Sequence, residues 1–399
     1  MKISRIDTVR LAEFPNLLWV EIRTDDGVQG LGETFFDASV VDAYIHDVAA
    51  PRLIGADPFA IGAVVASLSG YLGRRGSGAE MRGRSAIDLA LWDLYARAIG
   101  QPLWQALGGR VRESIRTYNT CAGPTYVRTA KGQQSANWGL SGAPGRYDDL
   151  QAFLTRADEL AADLLESGIT GMKIWPFDLA AEASGGLYIS GHDLKRALEP
   201  FARIRKAVGD AMDIMVEFHS LWNLTSAIRI AEALAPFATF WHEDPIRMDS
   251  LRSLRRYAER SKAPVCASET LSSIAAFRDL LETEAVGVVM LDVAWCGGLS
   301  EARKIAAMAE AWHLPVAPHD CTGPVVLAAS THLCLHLPNA LVQETVRAFL
   351  NGWYSQLVTA LPMVQNGFIT APEGAGLGLT LAPDLGRHFT LSRRSTTAS

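Results

Sequence analysis

Three short stretches decide the fold: Asp213-Ile214-Met215-Val216-Glu217, Thr239-Phe240-Trp241-His242-Glu243 and Pro264-Val265-Cys266-Ala267-Ser268-Glu269. Each is a mostly apolar run of strand length that ends on a glutamate. Between them lie Ser226–Leu234 and Leu251–Arg260, whose apolar residues recur at helical spacing. Strands and helices in alternation build a parallel sheet, because a parallel neighbour is reached only through a crossover.

The rhythm extends in both directions. Ser114–Thr120 and Gly171–Trp175 are strand candidates before these three, and Val286–Leu291, Pro315–Pro318 and Leu341–Glu344 follow them. Tyr147–Glu166, Asp193–Val208, Ser272–Leu281 and Ser300–Ala311 supply further helices. Eight strands with this regularity favour an α/β fold closed into a (β/α) barrel over an open sheet. Ahead of it, residues 1–35 read as strand, turn and strand, with Leu18, Val20 and Ile22 on one face and the turn at Asp25-Asp26-Gly27. From Val40 to Leu107 the period is helical, most clearly over Ser85–Leu94, closed by Gly100 and Pro102. The expected organisation is an α+β unit over 1–124, a barrel over 125–350 and a C-terminal segment over 351–399 whose polar end frays from about 392. Arg128–Arg146, rich in Gly, Ser, Gln and Pro, is either a functional loop or a disordered excursion.

With 37 basic and 43 acidic residues among 399, the formal net charge is −6, which argues against a nucleic-acid or anionic-membrane partner. A composition that is 49% hydrophobic and 20% charged is that of an ordinary folded globule. Met1–Leu11 carries Lys2, Arg5, Asp7 and Arg10, so it forms no signal h-region, and no apolar run approaches the roughly 18–20 residues of a membrane span. A cytoplasmic protein is expected. The five cysteines, Cys121, Cys266, Cys296, Cys321 and Cys334, form no CxxC pair and read as small buried hydrophobes.

In such a barrel the chemistry sits at the C-terminal ends of the strands. Those ends supply Lys173 and Trp175, Glu217 and His219, Glu243, Glu269, Asp292, His319 and Glu344. Glu217, Glu243 and Glu269 are separated by 26 residues in both intervals, which places three carboxylates on neighbouring strands roughly 5 Å apart. Carboxylates so close repel unless a cation lies between them, and an all-oxygen set suits Mg²⁺ better than Zn²⁺. Asp292 and His319 end the next two strands, and a carboxylate beside an imidazole makes a general base. His219 follows Glu217 by two, so both can face the barrel mouth and His219 can serve as an acid, whereas His242 should point into the wall.

With these residues in view, the chain resembles the enolase superfamily, and within it the mandelate racemase type of acid-sugar dehydratase. The resemblance covers nearly the whole length and is carried by Ser85–Leu94 with Gly100-Gln101-Pro102-Leu103, Trp241–Pro245, Ala267–Thr270, Trp295–Leu299 and Pro318-His319-Asp320. It implies a modified (β/α)₇β barrel, a capping domain completed by the C-terminal segment, one Mg²⁺ and removal of the proton α to a carboxylate. The family's metal carboxylates fall on Glu217, Glu243 and Glu269, its His-Asp dyad on His319 and Asp292, and its carboxylate-contacting Glu on Glu344. One feature departs from the racemases: their second barrel strand ends in Lys-x-Lys, but here it reads Lys173-Ile174-Trp175, so the base on the opposite face is missing. Glu217-x-His219 resembles the sugar-acid dehydratases instead.

The expected reaction is therefore that of a Mg²⁺-dependent hydro-lyase on an aldonate or aldarate. His319 takes the C2 proton, Mg²⁺ and Lys173 stabilise the enediolate, and His219 protonates the departing 3-hydroxyl to give a 2-keto-3-deoxy acid. The alternatives are an epimerase or racemase on the same scaffold, and a catalytically silent barrel acting as a binding protein. Substrate length is expected to be read by the cap around Glu13–Leu17 and by loops such as Arg128–Arg146. A closed homo-oligomer is the general expectation for such a protein.

Overall fold

A computed structural model describes residues 1–69, 76–140 and 145–398. The chain opens with strands β1 (Ile3–Leu11), β2 (Leu17–Thr24) and β3 (Gln29–Phe35), joined antiparallel. The turn at Asp25–Gly27 forms where expected, with Gly27 at φ 90. Leu18, Val20 and Ile22 are fully buried in a core of the cap's own, which includes Ile6, Val41, Ile45, Ile87, Leu91 and Leu94. The helix Ala79–Ala98 lies on β3, and the approach is close: a Cβ on Gly32 would stand 1.9 Å from the Ala86 carbonyl oxygen. The helix is buried on nearly every side because the cap sheet covers one flank and the barrel the other. It stops in a Schellman turn, with Gln101 N donating to Ala96 O and Gly100 at φ 66.

Eight parallel strands follow: β4 (Ile115–Thr120), β5 (Gly171–Ile174), β6 (Asp213–Glu217), β7 (Trp241–Glu243), β8 (Val265–Ala267), β9 (Val288–Leu291), β10 (Val316–Pro318) and β11 (Gln343–Thr345). All eight coincide with the expected strands, trimmed by a few residues. Neighbours pair in chain order from β4 to β10, and β11 pairs with β4. A bridge between Val316 and Ala340, just before β11, joins the remaining edges, so the sheet closes. Because β4 bonds to β5 and β11, the barrel starts at Ile115, and the boundary expected after residue 124 moves upstream of it. The helix expected over Tyr147–Glu166 is two helices, Asp149–Thr155 and Ala157–Glu166, broken at Arg156, whose φ of −148 is incompatible with a helix interior.

The C-terminal segment serves both parts. The hairpin β12 (Met363–Gln365) and β13 (Phe368–Thr370) pairs with the start of β4, while Leu377 N donates to the cap residue Asp93. The expectation of a frayed end from about 392 is overturned. Strand β14 (Leu391–Thr397) runs antiparallel to β1 as the edge of the cap sheet. Its polarity is that of an exposed edge strand: Arg393 bonds Asp7 and Glu21, Arg394 bonds Asp47, and Thr396 meets His46 Nδ1 at 2.8 Å. Among the described residues no helix is long and apolar enough to cross a membrane. All five cysteines are free, and four are buried.

Cap and barrel are tied through the first turn of a barrel helix. Asp88 accepts from Ser300 N at 3.0 Å, capping the helix Leu299–Ala311 from outside its own segment, and Ser85 Oγ accepts from Gly297 N. Gly298, at φ 87, leaves no room for a Cβ, which would meet Asp88 at 2.3 Å. Burial raises the Asp88 carboxyl to about 7, and its second oxygen has no hydrogen-bond partner. The folded chain therefore keeps a proton there that the unfolded chain releases near pH 4, and stability falls as pH rises from about 4 to 7. Asp88→Asn keeps the capping oxygen and removes the titration. Its thermal midpoint should match wild type near pH 4, rise above it progressively to pH 7 and hold that gap at higher pH. Asp88→Ala, which loses the cap and the titration together, should cost about 1–2 kcal/mol near pH 4 in urea titrations and stay below Asp88→Asn by about that amount at every pH.

Candidate active site

Inside the barrel, Tyr118, Met215, Trp241, Cys266, Val288, Met290, Ala317 and Val342 form a separate apolar cluster that plugs the cylinder. Side chains alternate along a strand, so the inward position two residues further up carries the next layer. That layer reads Thr120, Glu217, Glu243, Ser268, Asp292, His319 and Glu344, with Lys173 two above Gly171 on β5. All eight side chains are buried. Trp241 of the plug donates its indole N–H to Glu243 Oε2 above it at 3.0 Å.

Glu217 and Glu243 are register partners, as their spacing implied. Glu269 is not. The register partner of Glu243 on β8 is Cys266, so Glu269 lies three residues beyond it and reaches the site from the loop after the strand. The equal interval of 26 therefore finds the third carboxylate without giving the reason for its position. The three nevertheless converge, with one oxygen of each within 4.8 Å of the others.

Lys173 Nζ lies 2.5 Å from Glu243, 2.9 Å from Glu344 and 3.5 Å from Glu217. Glu344 also accepts from Thr120 Oγ1 and, at 2.7 Å, from Asp320 N, so both its oxygens are engaged within the protein. His319 is held at both nitrogens, Nδ1 by Asp292 and Nε2 by Glu269, each at 2.8 Å. Ala294 N donates to the other Asp292 oxygen at 2.6 Å. Across the mouth, His219 Nδ1 lies 2.6 Å from Asp178 Oδ2. Trp175 is buried against Tyr126, Phe153, Trp138 and the His219 ring, and it fills the mouth. His242 faces the wall, bonded to Tyr257 OH and Thr239, and burial lowers its pKa to about 3.

The electrostatics follow from burying acids together. Burial pushes Glu217 to about 7, and burial with the neighbouring Glu217 charge pushes Glu243 well above the carboxylate range. Burial acts the same way on Glu269, but the His319 charge and hydrogen bond overcome it and hold Glu269 at about 2. Burial would lower His319, yet the Glu269 and Glu344 carboxylates raise it well above its ordinary value. Two clustered carboxylates that resist ionisation, together with a Glu217 Oε2 that has no hydrogen-bond partner, form a donor set that a hard cation would satisfy. The trio can hold a metal ion.

Two matches with known proteins bear on this geometry. Residues 6–108 match the mandelate racemase/muconate lactonizing enzyme N-terminal domain, and residues 156–385 match the family described as enolase C-terminal domain-like. The chain belongs to the mandelate racemase/muconate lactonizing enzyme family of the enolase superfamily. The crystal structure of an enolase of the mandelate racemase subgroup from Agrobacterium tumefaciens is 61% identical, with a TM-score of 0.89 over 100% of this chain and 99% of that one. The D-galactonate dehydratase of Ralstonia nicotianae is 29% identical over 96% of this chain and 92% of its own, and that of Variovorax paradoxus 30% identical over 95% and 92%.

The sequence did not single out Asp178, Thr120, Tyr126 or Phe36. Phe36, Tyr126, Gln133, Trp295 and Cys321 line the central chamber together with Lys173, Glu217, Glu269 and the two histidines. The cap thus reaches the chamber through Phe36, not through Glu13–Leu17 as expected. Glu13 instead receives Thr390, and Asn16 ties down the loop by accepting from Gly132 N and donating to Val127 O and Ala130 O. The described part of Arg128–Arg146 is consequently an ordered loop, and residues 141–144 lie outside the described residues. If the trio is a cation site, Mg²⁺ or Mn²⁺ should raise the thermal midpoint, by about 3 kcal/mol of stabilisation at one hundred times the dissociation constant. Glu217→Gln, Glu243→Gln and Glu269→Gln should each abolish that response.

Proposed function

We propose that this hydro-lyase of the acid-sugar dehydratase type removes the C2 proton of an aldonate with His319 and expels the 3-hydroxyl with help from His219. The observation that carries the proposal is one chamber bounded by an imidazole on each side, His319 on Asp292 and His219 on Asp178, around a carboxylate trio. Glu217, Glu243 and Glu269 would hold Mg²⁺. Such an ion supplies a Lewis acid for the substrate's carboxylate end, lowering the cost of charge that develops when the α proton leaves.

The protein's own residues account for the remaining steps. Asp292 fixes the His319 tautomer through Nδ1, so Nε2 is the nitrogen that meets the substrate. For proton removal Nε2 must be free of Glu269, which is the expected outcome once that carboxylate is drawn to a cation. The electron pair of the C2–H bond becomes the C2–C3 double bond, the C3–O bond breaks, and a proton from His219 leaves with the oxygen as water. The enol then takes a proton at C3, releases the proton of its 2-hydroxyl and becomes the 2-keto-3-deoxy acid. Lys173 places the one buried ammonium of the layer beside Glu217, Glu243 and Glu344, where it offsets their charge; Glu344, itself bonded by the Thr120 hydroxyl, helps keep it in place.

An outer compartment opens from His219 and is lined by Gln133, Gln134, Ser135, Trp138, Asp178, Glu182 and Leu221. Carbons beyond C3 would extend here. Apart from the His219 imidazole, its lining offers amides, a hydroxyl and carboxylates but, among the described residues, no lysine or arginine to meet a second substrate carboxylate. This favours an aldonate over an aldarate, in keeping with relatives named for D-galactonate. Trp175 occupies the place where a second base would be needed for racemisation, and an indole N–H cannot take a proton.

Incubation with six-carbon aldonates and the matching aldarates in Mg²⁺ buffer, with detection of the 2-keto product, tests the proposal directly. Aldonates should be converted, aldarates at least about tenfold less efficiently, and only one C2 epimer of each pair should react. His319→Asn should abolish both product formation and exchange of the C2 proton with D₂O. Turnover of both C2 epimers at similar rates would instead establish an epimerase.

A further inference from the structure

The segment after β5 carries an interaction that the reaction scheme does not require on its face. Asp178 opens the helix Asp178–Ser184, yet its carboxylate makes no capping bond to that helix. It turns instead to His219, 2.6 Å from Nδ1, and both side chains are largely buried. The contact is the sole hydrogen bond to the His219 ring among the described residues. The imidazole is confined on other sides too. Trp175 packs edge-on at 5.8 Å, and the backbone of His219 and Ser220 is held at φ 49 and φ 56 by bonds from His219 N to Glu217 and from Ser220 N to Asp244 O. With Nδ1 taken, Nε2 is the nitrogen left to face the chamber. The arrangement repeats across the site what Asp292 does to His319, where the carboxylate also takes Nδ1.

We propose that Asp178 is a positioning residue for His219, forming a second His-Asp pair that keeps the proton on Nδ1 and presents Nε2 to the leaving hydroxyl. A neutral imidazole in water carries its proton mainly on Nε2. A carboxylate at Nδ1 reverses that choice, and in the protonated ring it leaves Nε2–H aimed outward as the donor. His319 serves C2 and His219 serves C3, so loss of Asp178 damages elimination and spares proton removal. The inference rests on the dehydratase proposal above and gives Asp178, there noted only as a contact of His219, a role of its own.

The test uses the full-length enzyme with Mg²⁺ and the best-turned-over aldonate in D₂O, reading deuterium at C2 of recovered substrate and formation of 2-keto product in the same tube. Asp178→Asn should lower kcat for product by about 100-fold or more, the range for loss of general-acid help, with KM changed little and C2 exchange retained. Asp178→Glu should restore part of the lost kcat. Equal loss of exchange and elimination in Asp178→Asn, or loss of neither, overturns the assignment. A second measurement needs no turnover: in ¹⁵N-histidine-labelled protein taken up in pH until the ring is neutral, with His219→Asn to identify the signals, wild-type His219 should show the Nδ1–H form and Asp178→Ala the Nε2–H form. If no aldonate is converted by the wild type, the dehydratase proposal fails by itself and this spectrum alone decides; an unchanged tautomer in Asp178→Ala overturns the pair.

Discussion

The site depends on one constraint: the barrel mouth buries five carboxylates, those of Glu217, Glu243, Asp292 and Glu344 in one layer and that of Glu269 from the loop after β8, with one ammonium, Lys173, and one imidazole, His319, between them. Buried like charges cost free energy unless each is paired or hydrogen-bonded. The structure answers in pieces. Lys173 divides its charge among three acids, His319 bridges two more, and backbone N–H groups of His219, Ala294 and Asp320 each reach one oxygen. What remains unanswered is concentrated at Glu217 and Glu243, whose acidity is suppressed. Ionising those two acids needs further positive charge, which a cation held by the trio would supply.

The same logic governs how the cap is attached. Two cap carboxylates satisfy the first turns of two successive barrel helices: Asp88 caps Leu299–Ala311, and Glu33 accepts from Val326 N in Pro324–His336 while also holding the Trp19 indole. Gly298 and Gly323 are the matching sockets, since a Cβ on either would collide with the incoming carboxylate at 2.3 Å. Burial raises Glu33 to about 8, so it enters the interface largely as a neutral acid near pH 7. The two capped helices follow the strands that end in Asp292 and His319. Cap placement and the geometry of the base are therefore fixed by one set of hydrogen bonds, and Phe36, at the end of the third cap strand, is carried over the chamber by the same docking.

Much of this was legible in the sequence because it is periodic. The eight barrel strands, the cap helix with its Gly100 stop and the polar layer at the strand ends all follow from alternation at two or 3.6 residues, which local sequence records. The misses have a common physical cause: they depend on which distant segments meet. The exposed polar stretch Leu391–Thr397 looks like a tail until β1 is placed beside it, because an edge strand buries neither face. Ser114–Thr120 reads as one of the eight barrel strands, yet the expected boundary falls after residue 124; pairing of β4 with β5 and β11 puts that boundary upstream of it. Asp178 carries no sequence signal at all, being one acid at the start of the short helix that follows β5. Glu269 was found by a spacing that the register does not support, which shows that a correct residue and a correct reason are separate results.

The asymmetry of the chamber follows from what surrounds each histidine. Around His219 the walls include Trp175 and, beyond it, Tyr126 and Trp138, packed ring on ring. Around His319 lies Trp295, 5.1 Å away and tilted over the ring, with the Arg82 guanidinium stacked 4.4 Å above that indole. A ring clamped in this way cannot follow its target, so the substrate must come to it in one orientation. In a low-dielectric enclosure the carboxylates and Lys173 also act on developing charge far more strongly than they would in water. Two histidines each held by its own carboxylate, with an indole at Trp175 beside one of them, are in keeping with the elimination proposed above.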